Sequence, residues 1–432
     1  MFLGIRGPKL TIMKKLVIGL IAVVFGLIVA GGATLYKYPY LPAIVEEGFP
    51  AEVWPARGIY VQVTGVPLKW PHLLEADDKP VSEAGEKLKR LMLKTETDAL
   101  VAYHKGKLKY AYFRPGIVPE TQFNSYSMAK SVIGYLVMKA IDEGEIDGLD
   151  SKIGEYLLML NDPKLRDEPI RQFLTMRSGL EFESKNPPKP LANDAKRAPD
   201  EKSSNPFTPL ARVHIQGLTP ILGDLKLPEA PTYDYHYQNV NTALLGAMLS
   251  AIYTQPLNEI LSEKIWKPSG ARHARWRTYT HEGAVTAYCC LFATAEDWAK
   301  VGIYLMNNGR INNNKTQAPF LAPERNKLMN AEQYSPEELN KGVYGLHVRH
   351  DILDRPGEPL QGPFTYFLGF GGQLVYMKPE DDLVVVRFGR RHTLLHSTLY
   401  YVWREIMARE AKDKARMLGK AAPSDGRVEA AD

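Results

Sequence analysis

Cysteine is almost missing from this chain: among 432 residues only two occur, and they are neighbours, Cys289 and Cys290. Adjacent residues lie too close for an unstrained bridge, no C-x-x-C spacing exists, and the context Ala287-Tyr288-Cys289-Cys290-Leu291-Phe292 is apolar. Two buried thiols are therefore expected, rather than a disulfide framework, a redox motif or a zinc site. Metal-binding spacing is lacking as well. The ten His are scattered without an H-E-x-x-H pattern, so no metal and no cofactor is expected. An excess of one charge is also missing: the formal net charge is +5, much of it from the termini, with no basic stripe of the kind that binds nucleic acid. At 45% hydrophobic and 24% charged residues the composition is globular, which excludes disorder as the main state and suggests one large domain or two. No internal repeat is visible.

Charge is wholly absent from Leu16 to Leu35, LVIGLIAVVFGLIVAGGATL. A run of ~20 apolar residues spans a bilayer. Arg6, Lys9, Lys14 and Lys15 precede it with no acidic residue, so the basic flank 1–15 is expected on the cytoplasmic side and the rest of the chain beyond the membrane. Residues 16–35 are thus a transmembrane anchor, holding the folded part in the periplasm or outside the cell, or a signal segment whose removal leaves a secreted protein; Gly31 and Ala33 suit a cleavage site. The anchor is preferred because the run exceeds a usual signal core. Residues 36–80, rich in Pro and aromatics, read as a tether that packs partly on the domain. Residues 81–412 form the folded domain, with a long polar insertion at about 184–232 that suits a lobe or lid. Residues 413–432 are a charged tail expected to be disordered.

Periodicity within the domain predicts a helix over Ser82 to Lys94, a hairpin from Thr97 to Phe113, a short helix within Ile170 to Leu180, helices at Val240 to Tyr253 and from Thr294 toward Gly309, a second hairpin from Gln373 to Phe388, and a helix over Thr398 to Met417. Strands, then helices, then strands suit an α+β fold. Its antiparallel sheet would be formed from the N- and C-terminal parts of the domain and flanked by helices, with a mainly helical region inserted between.

Ser127-Met128-Ala129-Lys130 is the most informative stretch. Three residues advance a helix by about 300° and ~4.5 Å, so the hydroxyl and the amine share a face. A Ser is a weak nucleophile until a neighbour takes its proton, and a Lys becomes a usable base where desolvation or nearby positive charge lowers its pKa. Asn124 and Ser125 are good caps, and Met128, Ala129, Val132, Ile133, Leu136, Val137, Ala140 and Ile141 make the helix that follows a buried one. Ser127 is placed in its first turn, at the positive end of the helix dipole. A Ser-x-x-Lys pair arises by chance about once or twice in a chain this long, most often on a solvated face, so a second element is needed. Tyr237-Gln238-Asn239 supplies one. It is the single Tyr-x-Asn of the chain, and its spacing lets a phenol and an amide face one cleft.

Ser127-Met128-Ala129-Lys130-Ser131, LTMRSGL at 174–180, Tyr237-Gln238-Asn239-Val240-Asn241 with Leu244-Leu245-Gly246, and CCLFATAEDWAKVG at 289–302 together resemble the serine β-lactamase/DD-peptidase superfamily. The likeness covers about residues 95–405 and is greatest to its 6-aminohexanoate-dimer hydrolase and class C-like esterase branch. The resemblance implies a β-lactamase/transpeptidase-like fold. It further implies Ser127 as acylated nucleophile, Lys130 as its base, Tyr237 as proton shuttle and Asn239 as substrate-orienting amide. The family's third motif, a Lys/His-Thr/Ser-Gly on a strand, is best matched by Phe370-Gly371-Gly372 with Gln373. Gly371, Gly372 and Gln373 are then expected at the substrate, with the Gln373 and Ser127 N–H groups as oxyanion hole. Phe370 departs from the family, an apolar ring replacing the cation that helps hold a substrate carboxylate. Arg387, Arg390, Arg391 and Arg404 are the cations available to restore it.

The expected function is a membrane-anchored serine hydrolase that cleaves a small-molecule or peptide-like ester or amide through a Ser127 acyl-enzyme. The alternatives are a peptidoglycan DD-peptidase or β-lactamase, and a non-catalytic scaffold that keeps the fold. The expected partners are this substrate and, through the N-terminal segment, the membrane; nucleic acid is not among them.

Overall fold

Both ends of the domain meet in one sheet, as the order of strands and helices predicts. The computed structural model of the protein describes residues 8–46, 59–68, 79–182, 207, 209–279, 283–307, 343–391 and 393–418. Its strands are β1 (Tyr60–Val63), β2 (Thr97–His104), β3 (Lys107–Phe113), β4 (Phe123–Asn124), β5 (Ala274–Arg277), β6 (Leu291–Ala293), β7 (Val343–Gly345), β8 (Val348–Leu353), β9 (Gly362–Gly369), β10 (Gln373–Lys378) and β11 (Leu383–Gly389). Seven of them form an antiparallel sheet in the order β3-β2-β11-β10-β9-β8-β7, and β1-β5-β6-β4 form a smaller one. The N-terminal hairpin joins the C-terminal one through β2 and β11, where Val101 lies opposite Val386.

The large sheet is apolar on both faces, because helices cover both. Leu100 and Ala102 of β2 point to one side, with Leu374, Tyr376 and Val385. There they meet Leu88 and Met92 of α1 (Glu83–Lys94) and Leu399, Trp403 and Ile406 of the C-terminal helix Leu395–Met417. Val101 and Tyr103 point to the other side, with Val375, Met377, Val384 and Val386, toward the helix Ala295–Met306. Two buried faces explain why β2, β10 and β11 read as near-continuous apolar runs rather than alternating ones. Where the sheet and the helix 295–306 approach closest, a Cβ on Gly302 would lie 2.9 Å from Val375 Cγ1 and 3.0 Å from Val384 Cγ1.

Side-chain caps hold these helices. Ser82 Oγ accepts the Gly85 N–H at 3.1 Å and donates to the buried Glu405, while Thr294 Oγ1 accepts the Asp297 N–H at 3.1 Å. Several expectations are revised. Within the stretch read as a tether, Tyr60–Val63 pairs with β5 and so belongs to the small sheet. The short helix ends at Leu174 rather than near Gly179, since Met176 takes a left-handed φ of 59°. Cys289 and Cys290 are joined by a disulfide instead of remaining thiols. The bend between Thr286 and Leu291, with Cys290 at φ 69°, turns the two neighbouring side chains toward each other.

At the N-terminus the helix Pro8–Lys37 contains one span, Lys15–Lys37, long and apolar enough to cross a membrane and unburied by the rest of the protein. Such a helix fits an anchor and a signal peptide equally. Beyond it Tyr40 and Ile44 pack on Ala211 and Ile215 of the helix Pro209–Gln216, which lies in the long insertion. Residues 184–206 and 208 of that insertion, and the tail from 419, lie outside the described residues.

Candidate active site

Ser127 is held by its neighbours before it is held by its helix. Asn124 Oδ1 accepts the Tyr126 N–H at 3.0 Å, and Tyr126 adopts a φ of 46°, a left-handed conformation that a bulky side chain takes only where its surroundings impose it. Ser125 is wholly buried. Its N–H donates to Leu291 O at 3.0 Å and its hydroxyl accepts the Leu291 N–H at 3.2 Å, so β6 grips the chain two residues before the nucleophile. Gly369 at the end of β9 lies where a Cβ would collide with Ser125 O. The result is a 3₁₀ turn over Tyr126–Met128 that runs into α2 (Ala129–Asp142). Ser127 thus occupies this turn, two residues before the α-helix in which the sequence places it.

From α2 the Lys130 side chain returns to the turn. It is 1% exposed, and its Nζ donates to Ser127 Oγ at 3.1 Å and to Tyr288 O at 2.9 Å. The rings of Tyr237 and Tyr288 lie 4.9 and 5.8 Å from the amine. The carbonyl that holds Lys130 comes from the bend next to the disulfide, which Trp276 Nε1 and Thr286 Oγ1 secure by donating to Cys289 O at 2.9 and 3.1 Å.

Tyr237 precedes α3 (Asn239–Tyr253). Gln238 between them is extended and turned inward, its side-chain oxygen accepting the Phe182 N–H at 2.9 Å. By alternation Tyr237 and Asn239 lie on its other side. Tyr237 reaches the cleft, where it stands beside Ser127 and Ser131 with Tyr344, His347, Arg349, Tyr366 and Leu368. Asn239 is half-buried at the start of α3 and is not one of the cleft-lining residues. Gly371, Gly372 and Gln373 are not among them either. With φ of 76° and 79° the two glycines reverse the chain into β10, where Gln373 pairs with Gly369. The Gln373 side chain is engaged by Phe370 O at 2.8 Å and by both backbone groups of Gly389, at 2.7 and 3.0 Å. Phe370 itself packs edge-on against Tyr126, 5.5 Å between centroids. It is β9, through Tyr366 and Leu368, that runs along the cleft.

The wall facing Ser127 was not foreseen from sequence. The β7–β8 turn carries Tyr344, His347 and Arg349, and its approach to α2 depends on Gly134, whose Cβ would strike Leu346 O. Ser131 Oγ donates to His347 O at 2.7 Å. His347 Nδ1 lies 3.0 Å from Leu174 O, a pure acceptor, so Nδ1 carries the proton and Nε2 accepts from Thr242 Oγ1 at 2.9 Å. Burial, with the Lys130 charge second, holds the His347 pKa down to about 3. The imidazole is therefore neutral at physiological pH. The cations weighed as replacements for the missing family Lys are all elsewhere. Arg387 is buried on Thr97 Oγ1, Gly372 O and Thr95 O. Arg390 and Arg391 pair with Asp98 and Glu96, and Arg404 with Glu358. The only sequence hint of the true wall was the clustering of Tyr344, His347 and Arg349 within six residues.

The comparisons with known proteins concern the family and the fold that carry this site. A family model described as Beta-lactamase matches residues 87–397. A curated 6-aminohexanoate-dimer hydrolase from Paenarthrobacter ureafaciens is 24% identical over 223 residues, 51% of this chain and 55% of that protein, so the chain spans only about half the length of this relative. Among solved structures, a candidate 6-aminohexanoate-dimer hydrolase from Bacillus anthracis superposes with a TM-score of 0.58 at 21% identity, covering 84% of this chain and 92% of its own. EstCE1, a hydrolase with promiscuous acyltransferase activity, does so with a TM-score of 0.53 at 15% identity, covering 77% and 99%. At these identities the structural likeness concerns the fold.

Proposed function

Because the chain belongs to the beta-lactamase family and its Lys130 amine is hydrogen-bonded to Ser127 Oγ at 3.1 Å in a cleft, we propose that it is a serine hydrolase that cleaves an ester or amide through a Ser127 acyl-enzyme. Lys130 takes the Ser127 proton as Oγ attacks the carbonyl carbon. The new C–O bond forms while the carbonyl π pair moves onto oxygen, where N–H groups of Ser127 and of the β9–β10 bend stabilise it. On collapse the bond to the leaving alkoxide or amine breaks, and that group departs with the proton, relayed through Tyr237. Water then adds to the acyl carbon with the same groups acting in reverse, and the acid and free Ser127 are released.

Residues 16–35 serve as a retained anchor that places the domain in the periplasm or outside the cell. The apolar helix with its basic flank supports this, and a paired Cys289–Cys290 suits an oxidising compartment. The observation that carries the catalytic reading is the Lys130–Ser127 contact. A fluorophosphonate probe is expected to label the wild-type protein and not Ser127→Ala. Equal labelling of the variant, or none of the wild type between neutral and alkaline pH, removes the reading.

A further inference from the structure

The cleft holds a cation that this chemistry does not use. Arg349 lines it together with Ser127 and Tyr237. Its guanidinium lies close to the Tyr235 phenol and 5.3 Å from the Tyr344 ring centroid, and Arg349 stands opposite Tyr366 in the β8–β9 ladder. Among the described residues, the groups whose charge acts on it are all tyrosines, Tyr235, Tyr366, Tyr237 and Tyr344. The acid next along the same strand face, Asp351, is taken by His396 at 3.2 Å. The surrounding phenols do not neutralise the cation: burial pushes Tyr235 and Tyr366 up to about 12 and raises Tyr344 well above the ordinary phenol value. Arg272, by contrast, has Glu296 and Asp297 beside it, and Arg404 has Glu358. A half-buried guanidinium ringed by neutral hydroxyls, with no counter-ion among the described residues, is a site that an anion completes.

We propose that Arg349 anchors an anionic group of the substrate, and that the ester or amide cleaved at Ser127 bears a carboxylate. The planar guanidinium fork matches a carboxylate. A single uncompensated cation balances a monoanion rather than a phosphate dianion, and Lys130 is committed to Ser127 and Tyr288. Carboxylate recognition, which Phe370 removes from the end of β9, returns from β8. The inference rests on the acyl-enzyme reading for the position of the scissile bond, and its test separates the two.

Mono-p-nitrophenyl glutarate and its methyl-capped neutral counterpart share the reacting ester and differ only in the distal charge. The wild-type protein is expected to favour the acid in kcat/KM by roughly 10- to 100-fold, mostly through KM. Arg349→Met brings the ratio near one, Arg349→Lys keeps part of it because charge remains without the fork, and Arg404→Met, on the surface, leaves it as in wild type. A second measurement needs no turnover: calorimetric titration of glutarate and of neutral glutaramide into Ser127→Ala, with and without Arg349→Met. Glutarate binding that Arg349→Met abolishes supports the anchor. A wild-type ratio near one, or a preference that survives Arg349→Met, overturns it, while fluorophosphonate labelling of Ser127 leaves the hydrolase reading standing. Absent labelling and turnover remove the hydrolase reading, and glutarate binding then decides on Arg349 alone.

Discussion

Ser127 and Lys130 stand three residues apart and meet within one turn, whereas Arg349 reaches the same cleft among tyrosines drawn from positions 235, 344 and 366. The reactive wall is local in the chain, and β6 and β9 only tighten it, through Leu291 on Ser125 and Gly369 against Ser125 O. The facing wall exists only because β8 pairs with β9 and the β7–β8 turn packs on α2 at Gly134. A proton-transfer pair needs one short distance, which helical spacing supplies. A substrate-shaped surface needs several directions at once, which one segment does not provide.

The largest effect expected lies on the reactive wall. Lys130→Met, measured by steady-state ester hydrolysis and by the rate of fluorophosphonate labelling, is expected to lower both by about 10³-fold or more, with the neutral and acidic esters losing equally. A loss confined to acidic esters would assign Lys130 to the facing wall and break the division.

Acid should act on the facing wall next. His347 and His350 are buried and held down to about 3 by desolvation, so both stay neutral in the fold and bind a proton only on unfolding. Between pH 6.5 and 3 the unfolded chain then carries more protons, and stability falls as pH falls through this window. At pH 5 each should remove on the order of 1–2 kcal/mol, seen as a lower thermal midpoint than at pH 7.5. His347→Gln should flatten that slope; an unchanged slope would show that neither wall carries the sensitivity.

Gly134→Ala is expected to have the smallest effect and the sharpest meaning. Its Cβ would meet Leu346 O and His347 Cβ, so the two walls must move apart, with a destabilisation of about 1–3 kcal/mol. Discrimination between acidic and neutral esters should suffer more than labelling of Ser127. The reverse order would mean that the β7–β8 turn supports the nucleophile rather than the substrate.

Elements with strong local signals were legible from the residues alone. Both hairpins and the helices beginning near Ser82, Val240 and Thr294 lie where periodicity and turn chemistry put them. The meeting of Ser127 and Lys130 with Tyr237 was legible from motif order. Elsewhere tertiary contacts prevailed. Tyr60–Val63 shows no alternation that marks a strand, yet β5 offers it an edge. The Gly371–Gly372 pair suggests close backbone approach to a substrate, and the fold adds that both take positive φ in the β9–β10 bend. Arg349 gave little signal beyond its nearness to Tyr344 and His347, since an Arg in a strand is ordinary until its surroundings are known.

By itself the sequence determined the reactive pair, the α+β order and the apolar N-terminal helix, because spacing, capping and hydrophobic period act between residues close in the chain. Only the tertiary structure decided that Cys289 and Cys290 pair, that Ser127 sits in a 3₁₀ turn gripped by β6, and which cation faces it. Whether a charge is compensated depends on groups brought together from across the fold, and for Arg349 those groups proved to be neutral phenols.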